Sequence, residues 1–154
     1  MTATNHALTG AIIGLSISNP WLALPLAFAS HFVLDALPHH GSTGAVDKVI
    51  SSPKFARNLA IDASLCIILV AILFLSQPVN WLLAAACAFL ATSPDLEWTA
   101  NFFRARAGKK MKKIKDPIGR LHAKVQWFQK PIGAIVEIVW FVDGVFIVYI
   151  LLKR

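Results

Sequence analysis

Five histidines and eight carboxylates hold most of the chemistry this sequence can do. The sharpest pair is His31 and Asp35, in His31-Phe32-Val33-Leu34-Asp35. On a helix, residues four apart share one face. An imidazole and a carboxylate so placed could ligate one metal ion, or the carboxylate could orient the imidazole from behind. The plain alternative is a His–Asp hydrogen bond that hides two polar groups in a bundle. Pro38-His39-His40-Gly41 follows. Pro38 resists helix continuation and Gly41 permits an unusual turn, so His39 could point back over the helix end. An exposed interfacial pair of histidines is the competing reading.

His6 opens the first apolar run, ahead of Gly10 and Gly14. The Gly-x-x-x-Gly spacing is a close helix-packing signature and would draw His6 into a bundle. Ser93-Pro94-Asp95-Leu96-Glu97-Trp98 reads as Ser at an N-cap, Pro at N1 and acids in the first turn. That capping role alone would explain Asp95 and Glu97; the functional reading makes Asp95 a ligand or general base. Asp116-Pro117 repeats the pattern and predicts an amphipathic helix over 118–129, with Leu121, Val125 and Phe128 as its apolar stripe. His122 and Gln126 lie four apart beside that stripe, on what could be a solvated face. Asp62 and Glu137 are lone carboxylates just inside their apolar runs, able to pair with Arg57 or a histidine. Asp143 lies deeper and could serve proton or ion passage.

These residues need elements to hold them. The apolar set makes up 56% of the 154 residues and charged residues 15%, yet the net charge is +7. Soluble domains average about 45–50% apolar and about 25% charged. Disorder is excluded by the apolar content. A disulfide scaffold is excluded by having only Cys66 and Cys87. Apolar runs at 7–18, 21–37, 59–76, 79–92 and 131–152 predict an all-α polytopic bundle of about five membrane helices, with one or two interfacial helices, in a single membrane domain. The second, third and fifth runs match the roughly 17–25 residues a spanning helix needs; the other two are short. The first 20 residues lack a basic region, so a retained N-terminus is expected.

Most of the basic residues fall in the connection 104–130, and Lys48, Lys54 and Arg57 fall between the second and third runs. Basic loops stay on the cytoplasmic side. Five spans put both loops on that side, with the N-terminus inside. Every histidine, and the carboxylates Asp35, Asp62, Asp95, Glu97 and Glu137, then lie toward one membrane face. An ionisable group in lipid costs roughly 2.5–3.5 kcal/mol, so such groups usually face an interior or a site. The Lys-rich stretch 109–115 sits between membrane runs, where it sets topology and attracts anionic headgroups rather than nucleic acid. No zinc-finger spacing, Gly-rich phosphate loop or Gly-x-Ser-x-Gly is present.

Several segments together resemble a known group. They are Asn5-His6-Ala7-Leu8-Thr9-Gly10, Ser30-His31 through Asp35-Ala36-Leu37-Pro38-His39, Ser93-Pro94-Asp95, and Leu121-His122 through Gln126-Trp127, with Glu137 beyond. They resemble small polytopic membrane proteins common in reduced-genome bacterial candidate phyla. More loosely, the chain is similar to inner-membrane metal-dependent hydrolases, which carry an early His before a Gly-rich helix and a Leu-Pro-Asp turn. Here that turn reads Leu37-Pro38-His39. Residues and resemblance together suggest a membrane-embedded metal site hydrolysing a lipid-like phosphate or ester near the cytoplasmic face. His6, His31, Asp35 and Asp95 are its first-choice ligands. His39, His122, Asp62 and Glu137 are further ligands, supporting groups or general bases, with Asp95 and His122 also candidates for catalysis. Mixed His and carboxylate donors suit Zn²⁺, with Mn²⁺ or Fe²⁺ also accommodated. The expected partners are the bilayer with its anionic headgroups and a lipid-like substrate. A metal or proton transporter and a scaffold of mutually satisfied polar groups are the alternatives.

Overall fold

The computed structural model describes residues 1–41, 46–112, 117–127 and 129–153. The side chain of Asp47, and Asp116 and Phe128, lie outside what is described, as do 113–115 of the basic stretch. The described chain is helical: α1 Ala3–Ser16, α2 Pro20–Ala36, α3 Val46–Ile50, α4 Pro53–Ser76, α5 Trp81–Thr92, a 3-10 turn Ser93–Asp95, α6 Leu96–Arg106, α7 Pro117–Val125 and α8 Gly133–Leu151. Local chemistry sets several boundaries. Asn19 caps α2 by accepting from the Trp21 amide at 3.0 Å, with Pro20 at N1. Ser52 caps α4 by accepting from Phe55 at 3.1 Å, with Pro53 following. Gln77 ends α4 in the left-handed region, φ 42°, and Pro78 follows.

Helix α1 is the hub, packed against α5, α8, α2 and α4. The Gly10 and Gly14 signature does what its spacing promises, and the neighbour is α5. A Cβ on Gly10 would lie 2.4 Å from the Cys87 carbonyl oxygen, and one on Gly14 would lie 2.5 Å from the Ala84 Cα. The two backbones are therefore in contact, which only small residues allow. Ala84, Ala88, Ala7, Ala11, Leu69, Leu73 and Val148 close the core around this seam.

Two expectations about local structure need correction. Ser93 is not an N-cap: its backbone is helical (φ −59°, ψ −32°) and its hydroxyl donates to the Leu90 carbonyl at 2.8 Å. Helix α5 does not stop there but tightens into the 3-10 turn and runs on as α6, so no capping role accounts for Asp95. The amphipathic helix also ends at Val125 rather than reaching residue 129. The chain beyond it is captured by the segment after α2, where the Lys130 amide donates to the His39 carbonyl at 3.1 Å.

Two helices, α4 and α8, are long and apolar enough to cross a membrane, with mean window hydropathies of 2.6 and 2.3. Only 11% of each window is buried, so their apolar faces look outward. Helix α2 is apolar but shorter, at 17 residues.

Candidate metal centre

Three helices, α1, α2 and α7, and the 3-10 turn bring polar residues together at one end of the bundle. Helix α2 supplies His31 and Asp35 on successive turns, both fully buried. The His31 Nδ1 lies 2.8 Å from the Ala91 carbonyl at the end of α5. A carbonyl can only accept, so Nδ1 carries a proton and donates, and the tautomer this selects has its lone pair on Nε2. Metal-binding histidines are oriented by such a bond. The His31 ring stacks on His6 with centroids 4.0 Å apart.

Helix α7 brings the third imidazole. Its inward side carries Gly119 and His122, with Gln126 partly buried beyond; Ile118 and Leu121 face outward. The solvated-face reading of His122 is therefore overturned, because the Gly119 and His122 side of α7 is turned inward, while Arg120 and Lys124 are exposed along with Ile118 and Leu121. His122 Nε2 lies 2.9 Å from Asp35 Oδ2 and 3.1 Å from His31 Nε2. Gln126, noted in the sequence only as a neighbour of His122, donates to Asp35 Oδ2 at 3.1 Å. From the 3-10 turn, Asp95 Oδ1 stands 3.5 Å from His122 Nε2 and 3.9 Å from His31 Nε2.

His31, Asp35, Asp95 and His122 thus each present one donor atom, all within 4.8 Å of one another. Metal bonds of about 2.0–2.1 Å at a tetrahedral centre give donor–donor edges of roughly 3.3–3.4 Å. The separations here, 2.9, 3.1, 3.4, 3.5 and 3.9 Å, bracket that edge. Two imidazoles and two carboxylates could hold a divalent ion. Burial pushes the Asp95 carboxyl above the usual carboxylate range, and His31 beside it pulls it back by less.

The remaining candidates take separate places. His6 is buried beside the group, with Nε2 3.1 Å from Asp35 Oδ1 and 4.0 Å from Asp95 Oδ2. His39, 2% exposed, donates from Nδ1 to the Leu37 carbonyl at 2.9 Å, and its Nε2 has no partner among the described residues. Burial lowers the pKa of that imidazole. Asp62 is not among the four: it is held by α1, accepting from the Thr4 hydroxyl at 2.6 Å and the Thr4 amide at 3.3 Å. The carboxylate meets a free amide of α1's first turn, the positive end of that helix. Glu137 takes a hydrogen bond from the His40 backbone.

A cavity of about 560 Å³ adjoins the centre, and its wall includes Asp95, Asp62, Glu137, His39, Gln126 and Trp98. Asp143 is elsewhere, exposed on the outer side of α8. The sequence matches no protein-family model, no curated protein and no solved structure.

Proposed function

We propose that the chain is a multi-pass protein of the bacterial inner membrane, with a metal-dependent hydrolase centre at the cytoplasmic end of a five-helix bundle. The reading keeps the resemblance to small bacterial membrane proteins and to inner-membrane hydrolases. Outward apolar faces on α4 and α8 support a bilayer setting. Helices α1 and α5 are about 21 and 18 Å long at 1.5 Å per residue. Too short to span the roughly 30 Å hydrocarbon layer alone, they sit against the longer helices. The exposed basic residues of α6 and the following segment, Arg104, Lys109 and Lys110, suit anionic headgroups at the same end.

The observation that carries the catalytic reading is the donor group His31, Asp35, Asp95 and His122, buried except for the half-buried Asp95, with one imidazole fixed by the Ala91 carbonyl. Zn²⁺ suits these donors best, and Mn²⁺ or Fe²⁺ is accommodated. A bound divalent cation would supply an acidified water and polarise the substrate oxygen. The chain itself excludes bulk water from Asp35, holds His31 in one tautomer and braces His122 with Gln126. Glu137 and His39 stand on the cavity wall where a proton can be taken up or returned. The cavity is sized for part of a lipid-like ester or phosphoester.

Metal content tests this. Wild-type protein purified in detergent should carry at least one divalent cation per chain, and His31→Ala should carry little. Wild type at background overturns the reading and leaves a scaffold of satisfied polar groups. The transport alternative rested on Asp143, and its exposed position on α8 gives that reading no support.

A further inference from the structure

We infer that the centre has a second cation position, on the His6 side, with Asp35 and Asp95 bridging the two. This rests on the metal reading above and extends it. Each carboxylate has two oxygens, and the two carboxylates divide them in the same way. Asp35 Oδ2 lies 2.9 Å from His122 Nε2 and 3.4 Å from His31 Nε2; its Oδ1 lies 3.1 Å from His6 Nε2. Asp95 Oδ1 lies 3.5 Å from His122 Nε2 and 3.9 Å from His31 Nε2; its Oδ2 lies 4.0 Å from His6 Nε2. One oxygen of each therefore belongs to the His31–His122 pair and the other to His6. Carboxylates that bridge in this way are how paired-metal hydrolytic sites hold two ions about 3.5–4 Å apart.

Independent features mark the His6 side as a place for a cation. The Met1 amino group rests against Asp35 Oδ1, and a cation on this side takes the place of that amine. His39 lines the same cavity as Met1 and Asp95, almost fully buried, with an Nε2 that takes no hydrogen bond among the described residues. Its Nδ1 donates to the Leu37 carbonyl, so a neutral ring keeps the lone pair on Nε2. Buried polar atoms are normally partnered, and a buried nitrogen lone pair is suited to a cation or an acidic proton.

The second position also bears on substrate. Apart from the Met1 amine, which a cation on the His6 side displaces, one divalent cation with Asp35 and Asp95 makes a formally neutral centre. No Lys or Arg stands among the described residues of the cavity wall to hold an anion. Two cations make the centre positive, and it then favours the phosphoester over the carboxylic ester.

The test counts cations and asks whether they sit side by side. Wild type loaded with Mn²⁺ should bind two ions per chain and give an exchange-coupled electron paramagnetic resonance spectrum. His6→Ala and His6→Gln should each bind one ion and give an uncoupled spectrum. Wild type with one uncoupled ion overturns the second position and leaves the single-metal reading standing. Wild type with none overturns both. Two ions retained in folded His6→Ala overturns the assignment of His6.

Discussion

Asp35→Asn removes one charge and almost no volume, at the carboxylate where the polar groups of four segments meet. Asp35 Oδ1 faces the Met1 amine and His6, and Oδ2 faces His122 and Gln126. An amide has one acceptor, so either orientation turns an NH₂ onto a side that already holds a donor: the Met1 amine on one side, the Gln126 amide on the other. Breaking a buried charged pair from one partner costs about 3–5 kcal/mol. A metal held by wild type adds about 2.7 kcal/mol of stability at 100 times its Kd. The gap between the two proteins should therefore widen from about 3–5 kcal/mol in chelator to about 6–8 kcal/mol with metal present. At roughly 2–4 °C per kcal/mol for a chain of this size, wild type should gain about 5–11 °C in Tm on adding Zn²⁺. Asp35→Asn should gain almost nothing. Thermal unfolding in detergent, followed by tryptophan fluorescence, reads both numbers. An Asn variant that melts with wild type in chelator would show that the carboxylate is not the keystone of this end of the bundle. One that keeps the full metal-dependent rise would show that Asp35 is not a ligand.

Two other outcomes follow from the geometry. Gly10→Leu drives a side chain into the Cys87 and Ala88 backbone; overpacking costs about 1–3 kcal/mol, and rigid backbone on the far side puts this case at the upper end or beyond. Its Tm should fall and its metal content should fall with it, because the same seam holds His6 and Asp95 together; unchanged metal content would separate the packing from the site. His39 should give acid sensitivity to the chelated protein. Its folded pKa lies below the ordinary value of about 6.5, so the unfolded chain binds the extra proton and stability declines as pH falls below about 6.5. His39→Gln should flatten that part of the stability profile, and an unaltered slope would remove His39 from the account.

Height along the bundle was legible in the sequence. The order of apolar runs and basic loops in the sequence groups His6, His31, Asp35, Asp95 and His122 toward one end, and they meet there. Position around each helix axis was less legible. The stripe of Leu121 and Val125 leaves a solvated face open as one reading of His122, but the buried side of α7 is the narrow one that carries Gly119 and His122, and the apolar stripe and the basic residues Arg120 and Lys124 lie around it toward the outside. The fate of Asp95 was hidden by a Ser-Pro-acid pattern that is as compatible with a 3-10 continuation as with a cap. Nothing local in the sequence marks the Thr4 to Asp62 bond, the Gln126 to Asp35 bond or the His39 to Leu37 contact, which depend on pairs far apart or on a loop turn.

A signal for the missing angle was nonetheless present, in the small residues. Along α2, Ala23, Ala27, His31 and Asp35 recur every fourth position, and all four are fully buried. Along α1 the series is His6, Gly10 and Gly14, all buried; along α5 it is Ala84, Ala88 and Ala91, continuing to Asp95 in the turn. Each stripe of small residues draws two backbones together and ends in a polar site residue on the same face. Helix α8 shows the discrimination this allows. Gly133, Gly144 and Val148 mark its buried side, and Glu137 shares it. At 100° per residue, Asp143 lies about 110° around from the middle of that stripe, on the outer face where it is exposed. The close packing and the polar cluster are thus one construction. Small residues let the helices approach until their ends converge, and convergence brings five histidine and carboxylate side chains from distant parts of the chain to within reach of one another.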